Sequence, residues 1–212
     1  MRLIIRGLGE LCITAGIIVL LFATYELWGT GRYTREQQDR LGRDLLSSWK
    51  ATQVTHERVR LGKGLAMIRI PRFGSGWRFV IVEGVDQDDL RKGPGHYPGS
   101  ALPGQVGNFV VSGHRTTYSA PFNRAGELRK GDRILIDTRS TQYVYEVTDR
   151  RIVRPSAVEV TAPVPMRPGA RPTQKLITLT TCHPKYSAAR RMIIFGRQVA
   201  ELPRVATPAT GR

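Results

Sequence analysis

Short runs of β-branched and aromatic residues, each bounded by Gly, Pro or Asp, dominate the chain from Leu65 onward and constrain its fold more than any other feature. Such runs are typical of β-strands, and residues 142–148 alternate with period two, as a half-buried strand does. Because no helical pattern separates the runs, a doubly wound parallel sheet is disfavoured, and a small barrel or sandwich is predicted. The predicted strands are residues 66–70, 78–83, 108–113, 133–137, 142–148, 175–181 and 192–199.

The stretch formed by residues 8–28 is apolar, and its only charges, Glu10 and Glu26, lie near its ends. As a helix it would span about 30 Å, the thickness of a bilayer core. Tyr25 and Trp28 would then lie at the membrane interface. A cleaved signal peptide is the alternative, but no small-residue cleavage site follows the stretch. An uncleaved single-pass membrane anchor is therefore predicted.

Arg2 and Arg6 favour a cytoplasmic amino terminus, although further arginines follow the apolar stretch and oppose this orientation. With the amino terminus inside, the main domain lies on the extracellular face of the cell membrane. The i, i+4 spacing of Leu41, Leu45 and Trp49 indicates a juxtamembrane helix or a mobile stalk. The predicted plan is residues 1–29 for the cytoplasmic N-terminus and anchor, 30–61 for the stalk, 62–201 for the main domain and 202–212 for a disordered tail.

The net charge of +16 raises the question of a nucleic-acid partner. Nucleic-acid-binding proteins concentrate basic residues on one helix or arm, often with stacking aromatic residues. Here the basic residues are scattered, with no run longer than a pair. The sequence therefore predicts no nucleic-acid partner, and an anionic cell wall or lipid surface explains the charge equally well.

The cysteines lie in different environments, Cys12 in the apolar stretch and Cys182 near the end of a predicted strand, so they cannot pair. An unpaired thiol in an exported chain suggests a reactive nucleophile, although a free cysteine is often simply buried. Such a nucleophile needs a proton carrier. His96 in a Gly/Pro-rich loop and His114 at a strand end both fit this role.

Acyl transfer also needs a cation where negative charge develops on the substrate carbonyl oxygen. Arg190 and Arg191 begin the strand after Cys182, and either guanidinium offers a fork of donors. Strand register decides which of the two faces the thiol. Ordinary solvated charge is the alternative interpretation of this pair.

Residues 178–182, Thr-Leu-Thr-Thr-Cys, resemble the signature of sortases, the cysteine transpeptidases of Gram-positive surfaces. A histidine at a strand end, here His114, and an arginine nine residues after the cysteine, here Arg191, complete that family's pattern. The fuller motifs are most similar to class E sortases of actinobacteria, and the resemblance covers residues 62–201. These motifs are residues 93–99, 107–115 and 181–184.

The resemblance implies an all-β fold, an eight-stranded sortase-type β-barrel with short helices, preceded by an N-terminal transmembrane helix. It implies that Cys182 attacks the threonine carbonyl of a C-terminal sorting signal on a secreted protein. His114 would carry protons, and Arg191 would hold the substrate carbonyl and stabilise the oxyanion. The threonine would then be joined to an amine of a peptidoglycan precursor. An inactive, cationic wall-binding module and a hydrolysing cysteine peptidase are the alternatives.

Two further residues are expected to contact the substrate. Tyr97 matches a family tyrosine associated with alanine rather than proline in the signal, so the resemblance implies Leu-Ala-x-Thr-Gly. Thr180 lies two positions before Cys182, hence on the same face of a strand, and is expected to line the groove. The acidic cluster Asp86, Asp88 and Asp89 is explained by capping of a short helix, so neither a metal nor another cofactor is predicted.

Overall fold

The computed structural model describes residues 2–50 and 60–204, and within them eight strands close into a β-barrel. The predicted eight-stranded barrel is thus confirmed, and each of the seven predicted runs overlaps a strand. The strand missing from the prediction is the third, which is only two residues long. The strands are β1 (Gly64–Arg69), β2 (Arg78–Glu83), β3 (Gly95–His96), β4 (Gly107–Ser112), β5 (Arg133–Asp137), β6 (Thr141–Val153), β7 (Lys175–His183) and β8 (Arg190–Pro203).

Around the barrel the strand order is β1-β2-β3-β4-β7-β8-β6-β5, and β5 pairs with β1 to close it. The β2–β3 and β4–β7 pairs are parallel, and the remaining pairs are antiparallel. Strands β4, β7 and β8 are consecutive neighbours. This order brings β4 beside the hairpin of β7 and β8, which lies far from it in sequence.

Alternate residues of each strand point into one apolar core. In β7, Ile177 and Leu179 enter this core, so Thr178, Thr180 and Cys182 lie on the outward face. The largest fully buried side chains are Tyr145, Phe109, Phe122, Ile68, Ile70, Ile81, Leu128, Ile134, Ile136, Ile177, Leu179 and Ile193.

The amino-terminal part is a continuous helical rod: helix α1 (Arg2–Thr24), a π-helical turn (Tyr25–Gly29) and helix α2 (Thr30–Lys50). Within the described ranges, Ile4–Thr24 is the one helical stretch long and apolar enough to cross a membrane, and none of it is buried in the protein. Tyr25 is exposed. The side chain of Trp28, the other predicted interfacial anchor, lies outside the described residues.

Helix α2 packs against the barrel along its apolar face. Leu41 and Leu45 are buried there against Val80 and Val82 of β2. The predicted stalk segment is therefore a helix that docks on the domain, because its weak i, i+4 apolar pattern finds a complementary surface on β2.

The acidic cluster lies at the start of helix α3 (Gln87–Lys92). Asp86 occupies the N-cap position, but its side chain makes no capping hydrogen bond, so the capping prediction is wrong in this detail. Asp88 instead pairs with Arg91 at 3.2 Å and Asp89 with Lys92 at 3.1 Å. Acidic charge in the first turn and basic charge in the last complement the helix dipole.

The barrel ends close to the chain's carboxyl end. Strand β8 continues to Pro203, two residues into the segment predicted as a tail. Residues 205–212, the rest of that segment, lie outside the described residues.

Candidate active site

Cys182 is the penultimate residue of β7 and lies directly opposite Arg191 of β8 in the antiparallel ladder. Residues that oppose one another in such a ladder project from the same face of the sheet. The turn after β7 contains Pro184, which cannot continue the ladder, so the thiol lies at the rim of the barrel. The structure thus brings the predicted nucleophile and Arg191 together and pairs Arg190 with His183 on the other face.

His114 lies just beyond the end of β4, beside the same rim. The parallel ladder pairs Ser112 with Thr180, and the amide of Gly113 donates to the Thr180 carbonyl at 3.1 Å. His114 and Cys182 are each the second residue beyond this last ladder pair, on the β4 and β7 sides respectively. Gly113 is needed here, since a Cβ at this position would lie only 2.7 Å from the ring of Phe122.

The imidazole of His114 is half-buried and held on two sides. Its Nδ1 lies 3.3 Å from the hydroxyl of Thr117, and its ring centroid lies 4.9 Å from that of Tyr118. Burial lowers the pKa of His114 below its ordinary value of 6.5, and the positive charge of Arg91 lowers this pKa further. The neutral imidazole, which can accept a proton, is therefore favoured.

The guanidinium of Arg191 donates from Nη1 to the carbonyls of Ala188 and Arg190, at 2.9 and 3.1 Å. No carboxylate of the described chain forms an ion pair with it. Backbone carbonyls thus orient the side chain while its charge stays uncompensated. Such a cation is suited to stabilise an oxyanion.

Tyr97 and Thr180 lie on the same outward face as the thiol. The amide of Tyr97 donates to the carbonyl of Val110 at 2.9 Å, and Tyr97 is 41% exposed. Thr180 is half-buried and lies two residues before Cys182 on β7. Both predicted substrate-contacting residues are thus on the face that carries the thiol.

His96, the other candidate proton carrier, is buried inside the barrel wall and cannot serve at the rim. Its Nδ1 lies 2.6 Å from Oε2 of Glu83, and its Nε2 lies 2.8 Å from the hydroxyl of Ser100. The ring stacks on Phe109 with centroids 5.1 Å apart. This network fixes the loop that presents Tyr97.

Two features of the site were not predicted from the sequence. Arg115, the residue after His114, is buried and donates to the carbonyl of Cys182 at 3.2 Å. In addition, helix α2 contacts the loop that follows His114: the amide of Tyr118 donates to the Thr30 hydroxyl at 3.2 Å. The motif at residues 107–115 contained Arg115, but sequence alone could not show that its side chain turns inward.

Thiol, imidazole and guanidinium at one rim are the components of covalent acyl transfer: a nucleophile, a proton carrier and an oxyanion-stabilising cation. Among the described residues, no three His, Cys, Asp or Glu side chains group in a way that could hold a metal ion. The chemistry that these side chains support is thiol-based.

A family model described as a sortase domain matches residues 68–199. The chain is 34% identical to sortase SrtE1 of Streptomyces coelicolor over 207 residues, which is 94% of this chain but 58% of that protein. The chain thus spans less than two thirds of that relative's length.

Solved structures of sortases are also similar to this chain. Sortase E from Streptomyces avermitilis is 36% identical, with a TM-score of 0.62, and the match covers 68% of this chain and 93% of that chain. Sortase E1 from Streptomyces coelicolor, solved with a tripeptide in the active site, is 35% identical, with a TM-score of 0.62 and coverage of 70% and 96%. By fold, rim geometry and similarity, the chain belongs to the sortase family of cysteine transpeptidases, within the class E sortases of actinobacteria.

Proposed function

We propose that the protein is a membrane-anchored transpeptidase that cleaves a sorting signal, Leu-Ala-x-Thr-Gly, between Thr and Gly. It then joins the threonine to an amine of a peptidoglycan precursor. The observation that carries this proposal is the direct cross-strand pairing of Cys182 with Arg191, with His114 on the adjoining segment. The tripeptide held in the active site of the Streptomyces coelicolor relative supports a peptide substrate.

In the first half-reaction neutral His114 takes the thiol proton of Cys182 as the sulfur attacks the threonine carbonyl carbon, and the carbonyl oxygen takes the negative charge. Arg191 stabilises that charge, a contribution typically worth about 10²–10³ in rate for one donor. The C–N bond then breaks, and His114 gives a proton to the leaving glycine amine. The products are a thioacyl enzyme and the released carboxyl-terminal fragment.

In the second half-reaction an acceptor amine attacks the thioester carbonyl. His114, now neutral, removes a proton from the amine, and the C–S bond breaks to release the thiol. One amide is lost and one is formed, so the exchange needs no external energy source. A water molecule in place of the amine would give hydrolysis.

The apolar helix Ile4–Thr24 supports the membrane anchor, and the arginines near the amino terminus support an extracellular catalytic domain. A membrane-impermeant maleimide applied to intact cells tests this orientation. We expect labelling of the wild-type chain and none of Cys182→Ala. Labelling of Cys182 only after cell lysis would contradict the extracellular assignment.

The decisive experiment compares Cys182→Ala with Cys12→Ala in the full chain, using a Leu-Ala-x-Thr-Gly peptide with excess amine. Cys12 is the other free thiol and lies in the apolar helix, so it is a matched control. We expect Cys182→Ala to abolish amine adduct formation, detected by mass spectrometry, and Cys12→Ala to retain it. Free threonine acid as the main product would indicate a hydrolysing peptidase. Absence of both product and thiol labelling would indicate an inactive wall-binding module.

A further inference from the structure

The ladder between β4 and β7 ends at Ser112 and Thr180, two residues short of the residues proposed to react. The Gly113 amide makes one more backbone bond, to the Thr180 carbonyl, and beyond it side chains hold the two segments together. The hydroxyl of Thr181 donates to the Gly113 carbonyl at 2.7 Å, and Nη1 of Arg115 donates to the Cys182 carbonyl at 3.2 Å. The segments that carry sulfur and imidazole are thus joined by side chains where backbone pairing has stopped.

Arg115 makes contacts on three sides. Its Nε donates to the Asn123 carbonyl at 3.1 Å, and Nη1 lies 3.5 Å from the sulfur of Met192 on β8. The side chain of Asn123 returns a hydrogen bond to the Arg115 carbonyl at 3.0 Å. One guanidinium therefore contacts the end of β7, the start of β8 and the loop that follows His114.

This cation has no carboxylate partner within the described part of the chain, although only 7% of the residue is exposed. Burial lowers the pKa of Arg115, and the negative charge of a Cys182 thiolate opposes that effect. Burying an unpaired cation costs free energy because the charge loses its hydration. An apolar side chain of similar volume would not incur this cost. Its location beside the reacting sulfur suggests that it is retained for function.

We propose that Arg115 is a positioning residue for the thiol chemistry: it clamps the carboxyl end of β7 to the loop that begins at His114 and so sets the sulfur–imidazole geometry. This inference rests on the proposed function of Cys182 and His114. Arg191 faces the thiol from β8, whereas the guanidinium of Arg115 contacts the Cys182 carbonyl and Met192, the next residue of β8, which belongs to the core on the opposite face. Arg115 therefore acts through the position of the reacting groups and not by contact with the substrate.

Loss of the clamp should slow the chemical steps and leave peptide binding largely intact, because small displacements of reacting groups cost rate steeply. For Arg115→Met we expect kcat to fall by about 10²-fold, with KM changed by less than about threefold. Arg115→Lys keeps the charge but reaches one carbonyl at a time. We expect it to recover part of kcat and to remain at least about fivefold below the wild type.

Arg124→Met is the matched control, since Arg124 lies in the same loop but donates to the Phe73 carbonyl at 2.6 Å and pairs with Glu127, and makes no contact with the end of β7 among the described residues. It should lower the melting temperature without changing kcat of the folded protein. All variants are assayed as full chains in detergent below their melting temperatures. If Arg115→Met does not fold, the kcat of Arg115→Lys tests the positioning role.

Unchanged kcat in a folded Arg115→Lys or Arg115→Met, or a kcat loss equal to that of Arg124→Met, would overturn the positioning role. Cys182→Ala separates this result from failure of the proposed function. Activity that survives Cys182→Ala refutes the function itself, whereas an inactive Cys182→Ala beside a fully active Arg115→Lys refutes only the clamp.

Discussion

Cys182 on β7 and Arg191 on β8 face one another across a single antiparallel pair, so both side chains project from the same face at the barrel rim. The neighbouring Arg190 pairs with His183, and its side chain projects from the opposite face. Of these two adjacent arginines, only Arg191 therefore projects from the face that carries the thiol. The difference follows from strand alternation alone.

This register predicts unequal effects for the two arginines. Arg191→Ala should reduce kcat/KM for peptide transfer by at least about 10²-fold, because it removes a donor to the developing oxyanion. Arg190→Ala should stay within about threefold of the wild type, since ordinary surface changes have small effects. Steady-state assays of the two purified variants provide the measurement. Equal losses in both would mean that the pair contributes only general charge.

The barrel was predictable because most of its strands carry their own signal. Strand β5 and the first half of β6 alternate or cluster apolar residues, and turn residues bound them. The later half of β6 begins with the charged, exposed residues 149–151, and it is a strand because β8 pairs with it as far as Val153. Strand β3 is two residues long and depends wholly on its neighbours. Tertiary pairing of this kind leaves no local pattern.

The site was predictable to the extent that motif chemistry constrained it. The roles expected of Cys182, His114 and Arg191 came from the resemblance to sortases, because residue type and position had left His96 and Arg190 open, and the rim geometry is compatible with those roles. Arg115 escaped prediction because burial of one arginine among many is a property of packing. The docking of α2 also escaped, because its hydrogen bonds join segments far apart in sequence, such as Thr34 to the Arg91 carbonyl at 2.7 Å.

Gln38 of α2 replaces a missing strand neighbour of β2. Its Oε1 accepts from the Val80 amide at 2.6 Å, and its Nε2 donates to the carbonyls of Val80 and Lys92 at 3.0 and 2.8 Å. Because β3 pairs with β2 only at Val82 and Glu83, Val80 would otherwise present an open edge on this side. The Gln38 side chain fits because residue 93 is a glycine: a Cβ there would collide with Nε2 of Gln38.

Gln38→Ala should therefore reduce the free energy of unfolding by about 1–3 kcal/mol, the cost of leaving part-buried backbone groups unsatisfied. Gln38→Glu keeps the acceptor but loses the donor, so it should also destabilise. Gln37→Ala is the control, because Gln37 makes no side-chain hydrogen bond to any part of the chain that the structure describes. Denaturant titration of the full chain in detergent gives the values. A Gln38→Ala curve that overlays that of Gln37→Ala would show that α2 is not a structural part of the domain.

Tyr97 is expected to govern the choice between alanine and proline in the sorting signal. Its loop is anchored by the buried contact of His96 with Glu83, so the exposed ring is held in place. We expect Tyr97→Ala to change the ratio of kcat/KM for Leu-Ala-x-Thr-Gly over Leu-Pro-x-Thr-Gly peptides by about tenfold, the scale of one lost apolar contact. Tyr33→Ala, at a similarly exposed tyrosine on α2, should leave the ratio unchanged. If Tyr97→Ala leaves this ratio of kcat/KM values unchanged, Tyr97 only packs the loop and does not select the substrate.

The depressed pKa of His114 predicts a pH dependence of stability. Burial and the charge of Arg91 lower the folded-state pKa below the unfolded value of 6.5. As pH falls below that value, the unfolded chain takes up a proton at His114 more readily than the folded chain does. Stability from this residue is therefore complete above pH 6.5 and is lost as pH falls toward the folded-state pKa.

His114→Gln removes this titration while keeping a side chain of similar polarity. The free energy of unfolding of the wild type should fall more steeply between about pH 6.5 and 5 than that of His114→Gln, as measured by denaturant titration at each pH. Other titrating groups are common to both proteins and cancel in the difference. Because His114 must accept a proton from the acceptor amine, the same depressed pKa keeps its neutral form available near neutral pH. Parallel stability curves for the two proteins would mean that His114 titrates alike in the folded and unfolded chains, and the proposed base would then lack this advantage.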